Sequence, residues 1–216
     1  MYKVVAIDGP AGSGKGTVAK ILASKCNLMY IDTGAMYRAV AYQTLKDNIS
    51  IEDEDKIVEI AKNSKIEFID GKTYLNGEDI SKEIRTMEVT RIVSPISSIV
   101  KLREILVDLQ REMAKGSDVI MEGRDITTVV FPNANYKFYL DATLEERANR
   151  RYKENREKGM EISYEEILEN IKKRDYNDMH KEVGSLTRTE DSIYIDSTNM
   201  SIQEVVDEMK KNINNN

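Results

Sequence analysis

The chain has 216 residues, 40% of them apolar and 32% charged, with a formal net charge of -6 and a single cysteine, Cys26. That size and balance fit a soluble α/β domain with a sizeable insertion. They exclude a membrane span, because no apolar run approaches the ~18 residues one needs, and an internal disulfide, in keeping with a reducing cytoplasm. The opening MYKVVAIDGP carries too short an apolar stretch, closed by an acid, for a secretory signal.

Lys3–Asp8 (KVVAID) is a short apolar run entering glycines and predicts a buried strand. Val18, Ile21, Leu22 and Cys26 repeat at helical spacing, predicting a helix from Lys15 to about Cys26, and Leu28–Asp32 predicts a second strand. From about Ser50 to Asn63 a charged helix is expected. The pairs Asp70-Gly71 and Asn76-Gly77 are hairpin turn signals, so Lys65–Ile80 reads as a small antiparallel meander. Ile99, Leu102, Leu106, Leu109 and Met113 mark a helix ending near Gly116. Asp118–Met121, Tyr136–Leu140 and Ser192–Ile195 are further short strands. Thr143-x-x-Glu146, Ser163-x-x-Glu166 and Ser201-x-x-Glu204 have the form of capping boxes at helix starts. Strands alternating with helices predict a five-stranded parallel sheet flanked by helices. Residues 1–38 and 101–216 form that core, and 39–100 is read as an inserted subdomain.

The acidic balance argues against broad binding to nucleic acid or membranes, so an anionic ligand must be met by local clusters of Arg and Lys. The first such place is DGPAGSGKGT. A strand, then Gly9, Pro10, Ala11, Gly12, Ser13, Gly14 and Lys15, then a helix is the arrangement a triphosphate needs. Glycines let backbone N–H groups turn inward onto phosphates, and the helix adds its positive end. Lys15 reaches the β- and γ-phosphates. Gly16 stands where a P-loop ordinarily has Ser or Thr, and Thr17 carries the hydroxyl instead. A Mg²⁺ accompanying ATP is therefore expected to take its ligands mostly from phosphates and water, with no protein metal site. No Asn-Lys-x-Asp guanine-reading motif is present.

Two later stretches offer a second anion site. In DTGAMYR, Asp32–Arg38, small residues leave room for a ligand. Arg38 then reads either as a phosphate fork or as a solvated charge, and Tyr37 as a base contact or as core. EGRDITTVVFP, Glu122–Pro132, puts Arg124 and Asp125 at the carboxyl end of the sheet, where open parallel sheets bind ligands. In ERANRRYKENREKG, the residues Arg147, Arg150, Arg151, Arg156 and Lys158 read as a solvated helix, paired as Glu146–Arg150 and Glu154–Lys158, or as a lid at about 147–162. Arg147 and Arg151 are the lid candidates for cations on the transferring phosphoryl, with Lys15 and Arg124. His180 and Cys26 are read as structural, and Glu122 as either structural or a water-mediated Mg²⁺ contact.

The loop GPAGSGKGT resembles that of nucleoside monophosphate kinases. With DTGAMYR, the Arg103 helix, EGRDITTVVFP and RDYNDMHK in this order, the whole chain resembles the bacterial cytidylate kinases. The resemblance implies a P-loop kinase fold with an inserted NMP-binding subdomain and a short lid, acting on ATP and CMP or dCMP; a monomer is expected. It implies that Ser94, Arg103 and Asp125 read cytosine and that Arg38 and Arg124 hold the acceptor phosphate. Arg174 and Asp178 match positions around the ribose. Thr33 stands where Ser is common and keeps the hydroxyl. Lys181 replaces a common Arg and loses its bidentate fork. Gly184-Ser185-Leu186 departs from the usual Ala-Pro-Leu. Two rival readings are a same-fold kinase for another monophosphate and a P-loop switch or ATPase without an acceptor. A second arginine constellation favours a kinase, since a switch needs one phosphate site.

Overall fold

The computed structural model describes residues 2–157 and 159–214. Strand β1 (Val4–Asp8) leads through the glycine-rich loop into helix α1 (Lys15–Cys26). Strand β2 (Met29–Asp32) passes directly into α2 (Thr33–Lys46). Helix α3 (Glu54–Asn63), strands β3 (Ile66–Ile69), β4 (Lys72–Leu75) and β5 (Glu78–Asp79), a 3₁₀ turn (Glu83–Arg85), α4 (Met87–Ile96) and α5 (Val100–Met113) follow. The chain returns to the sheet with β6 (Val119–Gly123), a π-helical turn (Ile126–Val130) and β7 (Tyr136–Asp141). It closes with α6 (Leu144–Glu157), α7 (Tyr164–Met179), β8 (Ile193–Asp196) and α8 (Ile202–Asn214). Among the described residues no helix is long and apolar enough to cross a membrane.

The main sheet has the order β2-β6-β1-β7-β8, and every pairing in it is parallel. Its strands read as unbroken apolar runs because both faces are covered. Along β1, Val5 and Ile7 pack with α1 and α8, while Ala6 faces the opposite layer with Met121 and Ile126. Registers Asp32↔Glu122 and Asp8↔Gly123 align the carboxyl ends of β2, β6 and β1 on one rim. The glycine-rich loop, α2 with Arg38 and the Arg124–Asp125 turn leave from that rim, while Ser94, Arg103, Arg174 and Asp178 come from α4, α5 and α7.

The meander forms as its turns dictate. Asp70 and Gly71 (φ 51° and 74°), like Asn76 and Gly77 (52° and 85°), are left-handed at both central positions, the geometry Asn-Gly and Asp-Gly favour. The inserted region has its own apolar cluster, running from Ala35 on α2 to Leu106 on α5. That cluster reaches outside the 39–100 segment at both ends, and position 39 lies in the middle of the continuous α2 helix. Of the three expected capping boxes, only Ser201–Glu204 is reciprocal, with Ser201 N–H donating to Glu204 Oε2 (2.7 Å) and Glu204 N–H to Ser201 Oγ (3.3 Å). At Thr143 and Ser163 the hydroxyl alone accepts, from Glu146 and Glu166 N–H.

Candidate active site

The loop after β1 is bent by Gly9, Gly12 and Gly14, at φ 152°, 78° and 90°. A Cβ at Gly9 would overlap the Leu140 carbonyl oxygen, so the close approach of the loop to β7 requires glycine. Helix α1 starts on Gly14 with no capping side chain and no acid in its first turn, whereas Asp32, Asp53, Thr86 and Ser163 cap α2, α3, α4 and α7. Its first N–H groups are thus left for an anion. Lys15 is buried and folds back over the loop, with Nζ donating to Gly9 O (2.7 Å), Pro10 O (2.8 Å) and Ser13 Oγ (3.3 Å). Burial, and next the Arg124 charge, lower its pKa to about 7.

Gly16 has a steric cause. A Cβ there would lie 3.2 Å from Glu122 Oε1 and 3.5 Å from the Tyr30 hydroxyl, so a Ser or Thr would crowd the carboxylate that fills this place. Tyr30 OH donates to that same oxygen at 3.4 Å. Burial and the neighbouring Asp32 raise the Glu122 pKa, against Lys15, Arg124 and Arg38. Thr17 is exposed beside it.

A concentration of positive charge adjoins the loop. Arg124 Nε donates to Asp178 Oδ2 (2.8 Å), Lys181 Nζ donates to Asp178 Oδ1 (2.9 Å), and Arg174 Nε lies 3.9 Å from Asp178 Oδ2. One buried carboxylate therefore serves three cations. Burial alone would raise the Asp178 pKa, but Arg124, Lys181 and Arg174 outweigh it and hold the carboxyl well below the usual range. The cations are not neutralised in return. Burial, then Arg124 and Arg38, bring Arg174 down to about 9. Burial also lowers Arg38, with Arg85 and Arg124 adding repulsion. Among the described residues no hydrogen bond or close ion pair holds the Arg38 guanidinium, which lies against Gly34, where a Cβ would stand 3.2 Å from Nη1. Half-buried like charges at this density call for an anion.

Beside that cluster, across Ser97 from Lys181, Arg103 and Asp125 form a close buried ion pair, and Arg103 Nη1 donates to Ser97 O (3.0 Å). Burial raises the Asp125 pKa in spite of Arg103. Arg103 Nε is buried without a hydrogen-bond partner among the described residues, a donor left for something else. Ser94 Oγ accepts from Asn177 Nδ2 at 3.4 Å. Gly184 (φ 68°) presses on this pair, and any Cβ there would overlap Arg103 Nη2. Glycine in place of the usual alanine thus lets the segment after α7 lie against Arg103 and Asp125.

Several side chains are placed differently from the sequence expectation. Tyr37 is core: it is buried in the α2 cluster, and Arg103 sits 5.6 Å above its ring centroid. It supports the arginine by a cation–π contact rather than offering a face to a base. Thr33 is also buried, its hydroxyl donating to Glu122 O (2.8 Å). Arg147 is not an open lid cation, since Ala142 O, Ala11 O and Asp175 take up its guanidinium. Arg151 pairs with Glu154 at the surface (2.9 Å) and is close enough to depress Arg174. Arg150 makes the expected pair with Glu146 (2.9 Å) but also reaches the loop, donating to Ser13 O (3.3 Å), Ser197 Oγ and Ser197 O. The Glu154–Lys158 pairing involves Lys158, which lies outside the described residues.

Three residues escaped the sequence reading. Asp8 is fully buried and accepts from Ile126 N–H (2.9 Å), Thr127 N–H (2.7 Å) and Thr127 Oγ1 (2.6 Å), tying the Arg124–Asp125 turn to the glycine loop. A carboxylate ending an otherwise apolar strand was the available signal. Arg85 reaches from the insertion to Asp32 Oδ2 (3.4 Å) at the wall of a 140 Å³ cavity between the meander and the core. Asp175 meets the loop at Ala11. Nothing local in the sequence marks these last two.

The family model described as "Cytidylate kinase" matches residues 5–215. The cytidylate kinase of Caldanaerobacter subterraneus subsp. tengcongensis is 51% identical over 212 residues, covering 98% of this chain and 95% of that one. That of Clostridioides difficile is 49% identical over 211 residues, covering 98% of each. Among solved structures, the shikimate kinase of Bacteroides thetaiotaomicron covers 98% of both chains with a TM-score of 0.52 at 12% identity, a likeness of fold alone. Taken with a glycine-rich loop, a flanking cation cluster and a match along nearly the whole sequence, this chain belongs to the cytidylate kinase family.

Proposed function

We propose that this protein transfers the γ-phosphoryl group of Mg·ATP to CMP and dCMP, giving ADP and the diphosphate. The observation that carries the reading is the set of Lys15, Arg38, Arg124 and Arg174. They converge at the rim, Lys15 buried and Arg38, Arg124 and Arg174 half-buried, and all but Arg124 have depressed proton affinities. For Arg124, burial opposes the charge, and Asp178 and Glu122 restore it. Two phosphate groups meeting at the rim would supply the missing negative charge. The glycine loop, residues 9–17, receives the donor, and Arg38 and Arg124 hold the acceptor phosphate. Arg174, Asp178 and Lys181 border the ribose, with Lys181 tied to Ser97 Oγ (2.9 Å) as well as to Asp178. Ser94, Arg103 and Asp125 receive the base. Residues 39–100 act as the acceptor-binding part and 147–162 as the lid, through Arg151.

No general base is needed. The attacking group is a phosphate monoester oxygen, mostly dianionic at neutral pH because its second pKa is about 6. The chain's work is to align donor and acceptor, spread positive charge around the moving phosphoryl, and keep water out. Among the described residues no cluster of three or more His, Cys, Asp or Glu is arranged for a metal. Glu122, facing Gly16, fits a Mg²⁺ held through water. When bound, the metal would neutralise charge on the donor phosphates.

Removing the least satisfied cation should separate the two substrates. Arg38→Ala is expected to raise the KM for CMP by about 10- to 100-fold, the worth of one or two charge-assisted hydrogen bonds, while calorimetry shows ATP affinity within about twofold of the parent. Equal losses for both ligands would place Arg38 outside the acceptor site.

Lys15 gives the expected pH dependence. Its pKa of about 7 in the free protein must rise when a triphosphate replaces the loop carbonyls. Binding is therefore strongest with Lys15 protonated and weakens as pH climbs above about 7, by up to about tenfold per unit. Calorimetry of ATP binding at pH 8 in buffers of different ionisation enthalpy should reveal proton uptake; none would mean that Lys15 stays charged in the free protein.

A substrate panel tests the assignment as a whole. CMP and dCMP should be phosphorylated in preference to UMP and AMP, and higher kcat/KM for either of the latter would reject the cytosine reading.

A further inference from the structure

The crest of the glycine loop is held at both of its polar groups by the α6–α7 hairpin. Ala11 N–H donates to Asp175 Oδ1 (3.0 Å), and Ala11 O accepts from Arg147 Nη1 (2.8 Å). The same Nη1 donates to Asp175 Oδ2 (2.5 Å), closing a ring of three groups. Arg147 Nε, donating to Ala142 O (3.0 Å), anchors the ring to the end of β7. Ala11, Arg147 and Asp175 are 8%, 7% and 7% exposed, so water does not compete. The Ala11 methyl packs with Ala148, Ile167 and Ile171 of the hairpin, and a Cβ at Gly12 would come within 3.1 Å of Arg147 Cβ.

A loop containing three glycines in left-handed or otherwise unusual conformations loses much entropy when fixed. Three devices fix it here, one of them Arg150 Nη1 donating to Ser13 O (3.3 Å). Lys15 binds Gly9 O, Pro10 O and Ser13 Oγ, but the lysine must leave them to meet a triphosphate. The Ala11 ring has no reason to open when the ligand arrives, because its members face the hairpin.

We propose that Asp175, acting with Arg147, is a positioning residue that holds the loop crest in the shape that receives the donor triphosphate, without touching the phosphates. α7 thereby contributes to both sites from neighbouring positions. Asp175 secures the donor loop, while Arg174 and Asp178 stand in the cation cluster. The inference rests on reading the loop as a triphosphate site and is independent of the acceptor's identity.

The test is Asp175→Asn, which keeps one oxygen for Ala11 N–H and removes the charge facing Arg147. Calorimetry should show ATP affinity, with no acceptor present, falling about tenfold. CMP affinity without ATP should stay within threefold. Asp175→Glu, keeping the carboxylate, should recover part of the loss. The double variant R147Q/D175N should bind ATP no worse than Asp175→Asn, since the two side chains act as one unit. Equal weakening of ATP and CMP would show a merely structural role, and unchanged ATP affinity or additive losses would also overturn the proposal. If Asp175→Asn does not fold, Arg147→Lys carries the same comparison, because lysine keeps the charge but cannot serve Ala142 O, Ala11 O and Asp175 together. A parent protein that binds ATP but does not phosphorylate CMP would refute the kinase reading and leave this test standing.

Discussion

Lys15→Met should lower kcat by a factor on the order of 10²–10³, the usual loss when one preorganised charge on a transferring group is removed. The side chain sits where α1 begins, and its ammonium already occupies the mouth of the loop through Gly9 O and Pro10 O. When the donor binds, that charge moves a short way from carbonyl oxygens to phosphate oxygens. Methionine matches the length and apolar stem but offers no donor. Single-turnover measurements with saturating CMP would read the chemical step apart from ADP release. A loss below tenfold would mean that Arg124 and Arg174 supply most of the stabilisation. Lys15→Arg would separate charge from shape, because its larger head must fit within a loop that already encloses the lysine.

Asp125→Asn carries the second large effect, on selectivity rather than rate. Cytosine presents an N4 amino donor where uracil presents a carbonyl, and a carboxylate accepts from the first and repels the second. A buried polar group left unpaired costs about 1–3 kcal/mol, so kcat/KM for CMP should fall about 10- to 100-fold while that for UMP changes less than about threefold. The ratio of the two, measured by competition in one vessel, is the informative quantity. Arg103 complicates the substitution, since it is the present partner of Asp125 and would lose its counter-charge. Thermal unfolding of the variant separates that loss from selectivity. Equal losses for both nucleotides would make Asp125 a counter-ion and nothing more.

The residues of this site were legible in the sequence to different depths. The strands and the donor loop could be read directly, because runs buried on both sheet faces must be apolar and the loop spacing has few other uses. The meander followed from two turn pairs with left-handed backbone at both central positions. What the sequence did not contain was the commitment of each polar side chain. Tyr37 and Arg38 are neighbours on one helix, yet one is pinned under Arg103 and the other faces the cation cluster. That split depends on where α5 lies, which no local pattern specifies. Arg147 looked like any arginine of a charged helix until Asp175, on the following helix, proved to be its partner. The glycine at position 16 was visible as a departure from the common loop, but its reason, the Glu122 carboxylate, comes from a different strand. Long-range pairings of this kind are tertiary facts.

The most direct measurement of the central claim is to follow ADP and CDP together in one reaction of the purified protein with Mg·ATP, with and without CMP. If two phosphate sites meet at the rim of the sheet, ADP formation is slow alone and accelerates on adding CMP, and CDP appears one for one with ADP. ATP hydrolysis that is indifferent to CMP, with no CDP formed, would contradict the account.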